Sequence, residues 1–284
     1  MASLKEFYGS FNAQSTVNAY NWALTKLQAF LGEDLEQYLN TCSQQDLDAA
    51  LTAFYLAEVR QMKPMTRMLI IAAIRQLLRW FKKDPEILKQ LTGRRPGYHP
   101  LTMDAVPPDD LLGRMFRLWD PTFQAYFAAL GSSGARGREL LGALKMDLLL
   151  DEHPPQIILR DTKGGRPRFT FINEQAKRLL IEHLRATPST SRLFSFTIWD
   201  VDHKWSWALK RLKADARDPT TGRLIYHPHC MRKRYRTKLG SLIDKDKLEQ
   251  LMGHEGYLDE SYRRYTAEEL GPEYLPHQAL LNFP

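Results

Sequence analysis

Apolar residues recur at intervals of three and four along the first third of the chain. Tyr20, Leu24, Leu27 and Phe30 outline an amphipathic helix over 16–30. Ser43 reads as the N-cap of a second helix across 46–59. A third is predicted over 65–81, after Pro64. It carries Leu69, Ile70, Ala73, Ile74, Leu77, Leu78 and Phe81 as apolar positions, with Arg67, Arg75 and Arg79 elsewhere on its surface. Asp84 and Pro85 cap and open a short fourth helix, 85–91. No alternating pattern precedes residue 92, so residues 1–91 are expected to form a small helical domain.

Residues 92–108 (TGRRPGYHPLTMDAVPP) contain two glycines and four prolines, a composition that breaks both helix and strand, and read as an extended linker. Arg94 and Arg95 within it either contact phosphate or are solvated linker charges; both readings stand. A second domain, 109–284, then begins with helices expected at 109–119, 121–132 and 136–144. The period next changes to that of strands. Residues 156–160 (QIILR) and 168–172 (RFTFI) flank Gly164–Gly165, a β-hairpin signal. Helices return at 174–185, about 198–214, 230–239 and 245–252. The expected fold is therefore mainly α with one small antiparallel β-sheet, in two domains. Trp22 and Trp80 are assigned to the core of the first domain, and Trp199, Trp205 and Trp207 to that of the second.

Composition narrows the class. Hydrophobic content of 43% is ordinary for a globular protein, and no run of about 18 apolar residues occurs, so no membrane span is expected. The N-terminus lacks the pattern of a secretory signal. Two cysteines, Cys42 and Cys230, give neither a disulfide framework nor metal-ligand spacing, which suits free thiols inside a cell. A net charge of +7 favours a polyanionic partner, of which nucleic acid is the usual one.

Five segments carry candidate chemistry. In Gly134-Ala-Arg-Gly-Arg-Glu-Leu-Leu141 a glycine leads into a helix, and Arg136 stands at its start, where backbone N–H groups already favour an anion. Glu139, three residues on, is placed to hold the turn. Asp161-Thr-Lys-Gly-Gly-Arg-Pro-Arg168 sets Lys163 on the hairpin turn. His229-Cys-Met-Arg-Lys-Arg-Tyr-Arg-Thr-Lys-Leu239 puts His229 and Arg232 on one side of a helix start, able to share one phosphate. His227 is out of that register and reads as structural. Leu248-Glu-Gln-Leu-Met-Gly-His254 ends a helix at Gly253, whose turn aims His254. Tyr257, Tyr262 and Tyr265 follow.

Taken in order, these segments resemble the boxes of the tyrosine recombinases, the phage-integrase family. The first box has a glycine, an arginine and Glu-Leu three residues later, then a Leu-rich helix end and an acidic residue such as Asp147. The family's hairpin lysine sits in a similar Thr-Lys-Gly setting. Its third box, His-x-Leu-Arg-His-x-Phe-x-Thr-x-Leu, is matched at His229, Met231, Arg232, Tyr235, Thr237 and Leu239, with Lys233 departing from the second histidine. Leu-Leu-Gly-His is matched with Met252 in place of the second leucine.

The resemblance implies a catalytic set of Arg136, Lys163, His229, Arg232 and His254 with a tyrosine nucleophile. Tyr262 lies eight residues after His254 and Tyr265 eleven, and the family's usual spacing falls between them. Arg264-Tyr265-Thr266 resembles a common bacterial ending, whereas Tyr262 followed by Glu-Glu-Leu-Gly-Pro-Glu-Tyr-Leu resembles archaeal-type members. Tyr262 is preferred and Tyr265 is the alternative.

The implied activity is site-specific recombination of double-stranded DNA through a 3′-phosphotyrosyl bond. Residues 1–91 would be the core DNA-binding domain and 109–284 the catalytic domain. No metal, ATP or other cofactor is expected, since there is no P-loop glycine-lysine run and no acidic metal cluster. The plan looks compact, Xer-like or Cre-like, without a separate arm-site module. A homo-tetramer on DNA is implied, with the apolar tail after the tyrosine exchanged between protomers; packing of that tail on its own domain is the competing expectation. The expected location is the cytoplasm and nucleoid, or a host cell interior. Two other outcomes share the motifs: a type IB topoisomerase or telomere resolvase with the same chemistry, and a non-catalytic DNA-binding relative.

Overall fold

The structure, a computed structural model, describes residues 2–92, 104–160, 162, 166–254 and 265–284. The chain divides into two compact units, Met1–Pro100 and Leu101–Pro284.

The described part of the first unit is helical: α1 (Leu4–Gly9), α2 (Gln14–Leu31), α3 (Leu35–Thr41), α4 (Gln44–Phe54) running into a π-helical turn Tyr55–Val59, α5 (Pro64–Trp80) and α6 (Glu86–Thr92). The boundaries follow local chemistry. Ser43 accepts from the Asp46 N–H at 3.1 Å, Pro64 opens α5, and Gly32 ends α2 with φ +75°. Leu24, Leu27, Leu47, Leu51, Ile70, Ile74 and Leu77 form the core between α2, α4 and α5. The two tryptophans assigned to that core lie largely outside it: Trp22 is 44% exposed and Trp80 38%. Trp22 precedes Leu24 by two residues, which turns it to the opposite face of α2, where Lys26 Nζ lies 5.1 Å from its ring. Trp80 borders the core and meets Phe7 edge-on.

The second unit is built around α8 (Pro121–Ser133), which follows α7 (Asp109–Leu118). From Ala125 to Ser133 every residue of α8 is buried, as expected of a helix apolar on all sides. It is followed by α9 (Gly137–Leu141) and a three-stranded antiparallel sheet of β1 (Leu148–Leu149), β2 (Gln156–Leu159) and β3 (Arg168–Phe171) in that order. The register pairs Leu148 with Ile157 and Gln156 with Phe171. Helices α10 (Glu174–Ala186) and α12 (Cys230–Leu239) pack on α8, α11 (Ile198–Arg211) packs on α7 and α9, and α13 (Lys245–Met252) packs on β3; α14 (Ala267–Tyr274) ends in a 3₁₀ turn, Leu275–Leu281.

On α11 only Trp205 of the three tryptophans is core; Trp199 is 70% exposed and Trp207 41%. The buried stripe is Val201, Trp205, Ala208 and Leu209, and Trp207, two positions from Trp205, turns away from it. In the single chain the C-terminal tail folds onto its own unit. Tyr274 is fully buried, and the Phe283 ring stacks on Phe116 at 4.7 Å. Arg234, 2% exposed, donates to the carbonyls of Leu280 (3.3 Å), Leu281 (3.0 Å) and Asn282 (3.0 Å) and pairs with Asp109. Apolar burial and a paired internal charge thus hold the tail in place.

Among the described residues no helix is long and apolar enough to cross a membrane.

Candidate active site

The C-terminal end of α8 organises the candidate site. A helix leaves its last carbonyls without intrahelical partners. Here three side chains take them. Tyr274 Oη donates to Ser132 O (2.9 Å), Thr170 Oγ1 to Ser133 O (2.7 Å) and Arg232 Nη1 to Gly134 O (2.5 Å). Gly134 adopts φ +62°, and a Cβ there would lie 2.6 Å from the Tyr235 ring. The position therefore needs glycine on two grounds. The turn it makes delivers Arg136 to the N-cap position of α9.

Arg136 is held there by Glu139. The Arg136 backbone N–H donates to Glu139 Oε2 (3.0 Å), and its Nη1 donates to Oε1 (2.6 Å). Arg168, at the start of β3, donates to the same Oε2 from Nη2 (2.8 Å). Burial alone would raise the Glu139 carboxyl. The charge of Arg168 and the hydrogen bonds from both arginines outweigh it and hold the pKa below the usual carboxylate value.

Arg232 is 4% exposed. Its Nη1 is taken by Gly134, two residues from Arg136, while its Nη2 finds no partner among the described residues. Burial and the nearby charges of Arg136 and Arg168 lower its pKa to about 10, so it remains a cation at neutral pH. A buried guanidinium with a free donor beside a second arginine is an anion-binding arrangement. His229 stands at the N-cap of α12, one turn from Arg232. Partial desolvation and the positive charge of Arg232, His227, Lys233 and Arg136 depress its pKa below the usual imidazole value. His227 stacks on His229 and hydrogen-bonds Asp104 through Nε2 at 3.3 Å, a structural role. Asp104 also pairs with Lys233, which accounts for the lysine where the family box has histidine.

His254 follows Gly253, which has φ +67°. Its Nδ1 contacts Glu249 Oε2, and Glu249, 2% exposed, also pairs with Arg236 at 2.7 Å. Tyr265 is fixed by Gln250. The Gln250 side chain donates to the Tyr265 carbonyl (2.7 Å) and accepts from its N–H (2.9 Å). The Tyr265 ring packs on the cluster of Phe171, Tyr235 and Leu251, with Lys247 Nζ 5.6 Å from its centroid.

The structure thus brings together Arg136, His229 and Arg232, with His254 at the end of α13. Lys163 and Tyr262 lie outside the described residues, as do Arg94, Arg95 and Tyr257. Asp147, the acid that closes the first box, is fully buried and accepts from Arg160 Nε and the Leu144 N–H. Two polar residues of the site were not anticipated, Arg168 and Glu249. Glu249 carried a signal, an acid one position from Leu248 and three from Met252 on an apolar helix face, which implies a buried partner. Arg168 gave none, since an arginine beginning a short strand reads as solvated.

No protein-family model matches the chain, and no curated protein matches it. Solved structures do. The chain is similar to XerH site-specific recombinase in a post-cleavage complex with palindromic difH substrate, at 14% identity over 84% of this chain and 73% of that one, with a TM-score of 0.63. It is similar to a lambda integrase tetramer bound to a Holliday junction, at 11% identity over 93% and 79%, with a TM-score of 0.63. A Tn1549 transposon integrase in complex with circular intermediate DNA matches at 15% identity over 97% and 100%, with a TM-score of 0.59. The chain has the tyrosine recombinase fold.

Proposed function

We propose that this protein is a site-specific DNA recombinase that cuts and rejoins duplex DNA through a 3′-phosphotyrosyl intermediate. The observation that carries the reading is the placement of Arg232 near Arg136 at the end of α8, where a buried guanidinium keeps a donor without a partner among the described residues. Residues 1–91 serve as the core DNA-binding domain, 92–108 as the linker and 109–284 as the catalytic domain.

The chemistry follows from the charges. A tyrosine hydroxyl has a pKa near 10 and needs a cationic setting or a base to become a nucleophile. Its oxygen attacks the scissile phosphorus, the bond to the 5′ oxygen breaks, and the protein is left joined to the 3′ phosphate. The extra negative charge on the non-bridging oxygens is met by the Arg136 and Arg232 guanidinium groups in a partly desolvated site. His229, neutral before DNA arrives, gains a proton as it binds a phosphate oxygen, and His254, oriented by Glu249, takes the tyrosine proton. Lys163 donates a proton to the departing 5′ oxygen. A 5′ hydroxyl then attacks the phosphotyrosine and reverses the step. The arginines supply the charge stabilisation, and the exchange of one phosphodiester for another conserves bond energy, so the reaction asks for neither metal nor ATP. Tyr262 is the nucleophile; the engagement of the Tyr265 ring in packing supports that choice. Four chains act on two DNA sites, as an assembly resembling the one named for lambda integrase.

The test is a nicked suicide substrate drawn from a pool of candidate DNA sites. Wild-type protein is expected to form a denaturant-resistant adduct that Tyr262→Phe abolishes and Tyr265→Phe retains. Loss only in Tyr265→Phe reassigns the nucleophile. No adduct on DNA that the protein demonstrably binds overturns the proposal.

A further inference from the structure

Arg168 makes contacts that a solvated strand residue has no use for. Its side chain is 14% exposed. Nη2 donates to Glu139 Oε2 at 2.8 Å, the carboxylate that also holds the backbone and side chain of Arg136. Nη1 donates to Leu251 O at 2.6 Å, in the last turn of α13 and three residues before His254. Its Nε and Cδ lie against Gly253, where a Cβ would come within 2.4 Å of Nε. The turn that aims His254 is therefore seated on this guanidinium. Arg168 also opens β3 and follows Lys163 by five residues in the sequence.

We infer that Arg168 is a positioning residue that locks the Arg136 turn and the His254 turn into one rigid phosphate-binding frame. The inference rests on the recombinase reading above and adds to it a residue outside the recognised set.

Two properties of arginine are used. The first is its planar fork, which reaches two acceptors in fixed directions; a lysine ammonium at the end of a flexible stem does not hold both. The second is charge. Glu139 alone would neutralise Arg136. With Arg168 on its other side the trio keeps a net positive charge, and Arg136 remains available to an anion. If Arg168 and its partner only filled space, an apolar pair would serve, since replacing both members of a buried ion pair by apolar residues is often neutral for stability. Placing a paired charge between two turns is what a frame for a phosphate requires.

The experiment compares wild type, Arg168→Lys and Arg168→Met on one suicide substrate. It measures melting temperature, DNA affinity and the single-turnover rate of adduct formation at saturating protein. Arg168→Lys keeps the charge and loses the fork. It is expected to bind DNA within about twofold of wild type while forming adduct about 100-fold more slowly, the scale of a misplaced reacting group. Arg168→Met, which also removes the charge, is slower still. Adduct rates within about threefold of wild type in both variants overturn the inference. Parallel loss of melting temperature, binding and cleavage also overturns it, because that is the signature of an arginine that only supports the fold. Absence of adduct with the wild-type protein overturns the recombinase reading instead, and the frame with it.

Discussion

Replacing Gly134 with alanine tests the central geometric claim, that the end of α8 is shaped to carry Arg136 and to receive Arg232. Two costs can be read from the structure. At φ +62° an alanine sits in the left-handed region, at about 1–2 kcal/mol. Its methyl would also lie 2.6 Å from Tyr235 Cδ1, on a ring that is fully buried and cannot swing away; overpacking of this kind costs about 1–3 kcal/mol. The sum is about 2–5 kcal/mol, or a fall of roughly 4–20 °C in melting temperature for a domain of this size. Any backbone shift that relieves the clash moves the Gly134 carbonyl, to which Arg232 donates, so phosphate-site function falls as well. Gly222 supplies the control. Its φ is +69°, but a Cβ there meets nothing within 4 Å, so Gly222→Ala carries the strain without the clash. Urea denaturation of the two variants beside wild type isolates the steric component. A Gly134→Ala variant no less stable than Gly222→Ala would refute the reasoning.

Tyr235→Phe removes a fully buried hydroxyl that has no partner among the described residues, and keeps the ring against Gly134. It is expected to stabilise the protein by about 1–2 kcal/mol in urea melts, and destabilisation would show that the hydroxyl is satisfied. His229 gives a pH prediction. Because its folded-state pKa is depressed, neutral imidazole stabilises the fold above the ordinary value near 6.5, and that contribution is lost as pH falls through the folded pKa. A bound phosphate reverses the bias by favouring the charged ring, so DNA binding should take up a proton. Affinity at fixed salt should rise as pH falls from 8 towards 6, with a slope about one proton smaller in His229→Gln; identical slopes in the two proteins would remove His229 from the phosphate site.

Much of the architecture was legible because it rests on local rules. The stripe of Ile70, Ile74 and Leu77, the Ser43 cap and the β-rich runs that pair as β2 and β3 each point to one answer. Helix α14 carried its own signal in Thr266-Ala-Glu-Glu269, where the Thr266 N–H donates to Glu269 at 2.9 Å. The tryptophans show where such rules stop. Residue type suggested burial, but helical phase decides it: Trp22 lies two positions before the buried Leu24 and Trp207 two positions after the buried Trp205. Arg136, Arg232 and His254 stood out by spacing against known boxes. Arg168 did not, because its partners at Glu139 and Leu251 are far away in sequence and only the packed chain brings them together.

The tail contact has a thermodynamic reading. Arg234 stands two residues after Arg232 on the same helix, and three of its acceptors are carbonyls of residues 280–282. Lifting those residues away strips a nearly inaccessible cation of most of its neutralising environment and leaves Asp109 as its chief counterweight. The free energy of the tail is therefore deposited in α12, and a deletion beginning at Leu280 amounts to a substitution in the helix that holds Arg232.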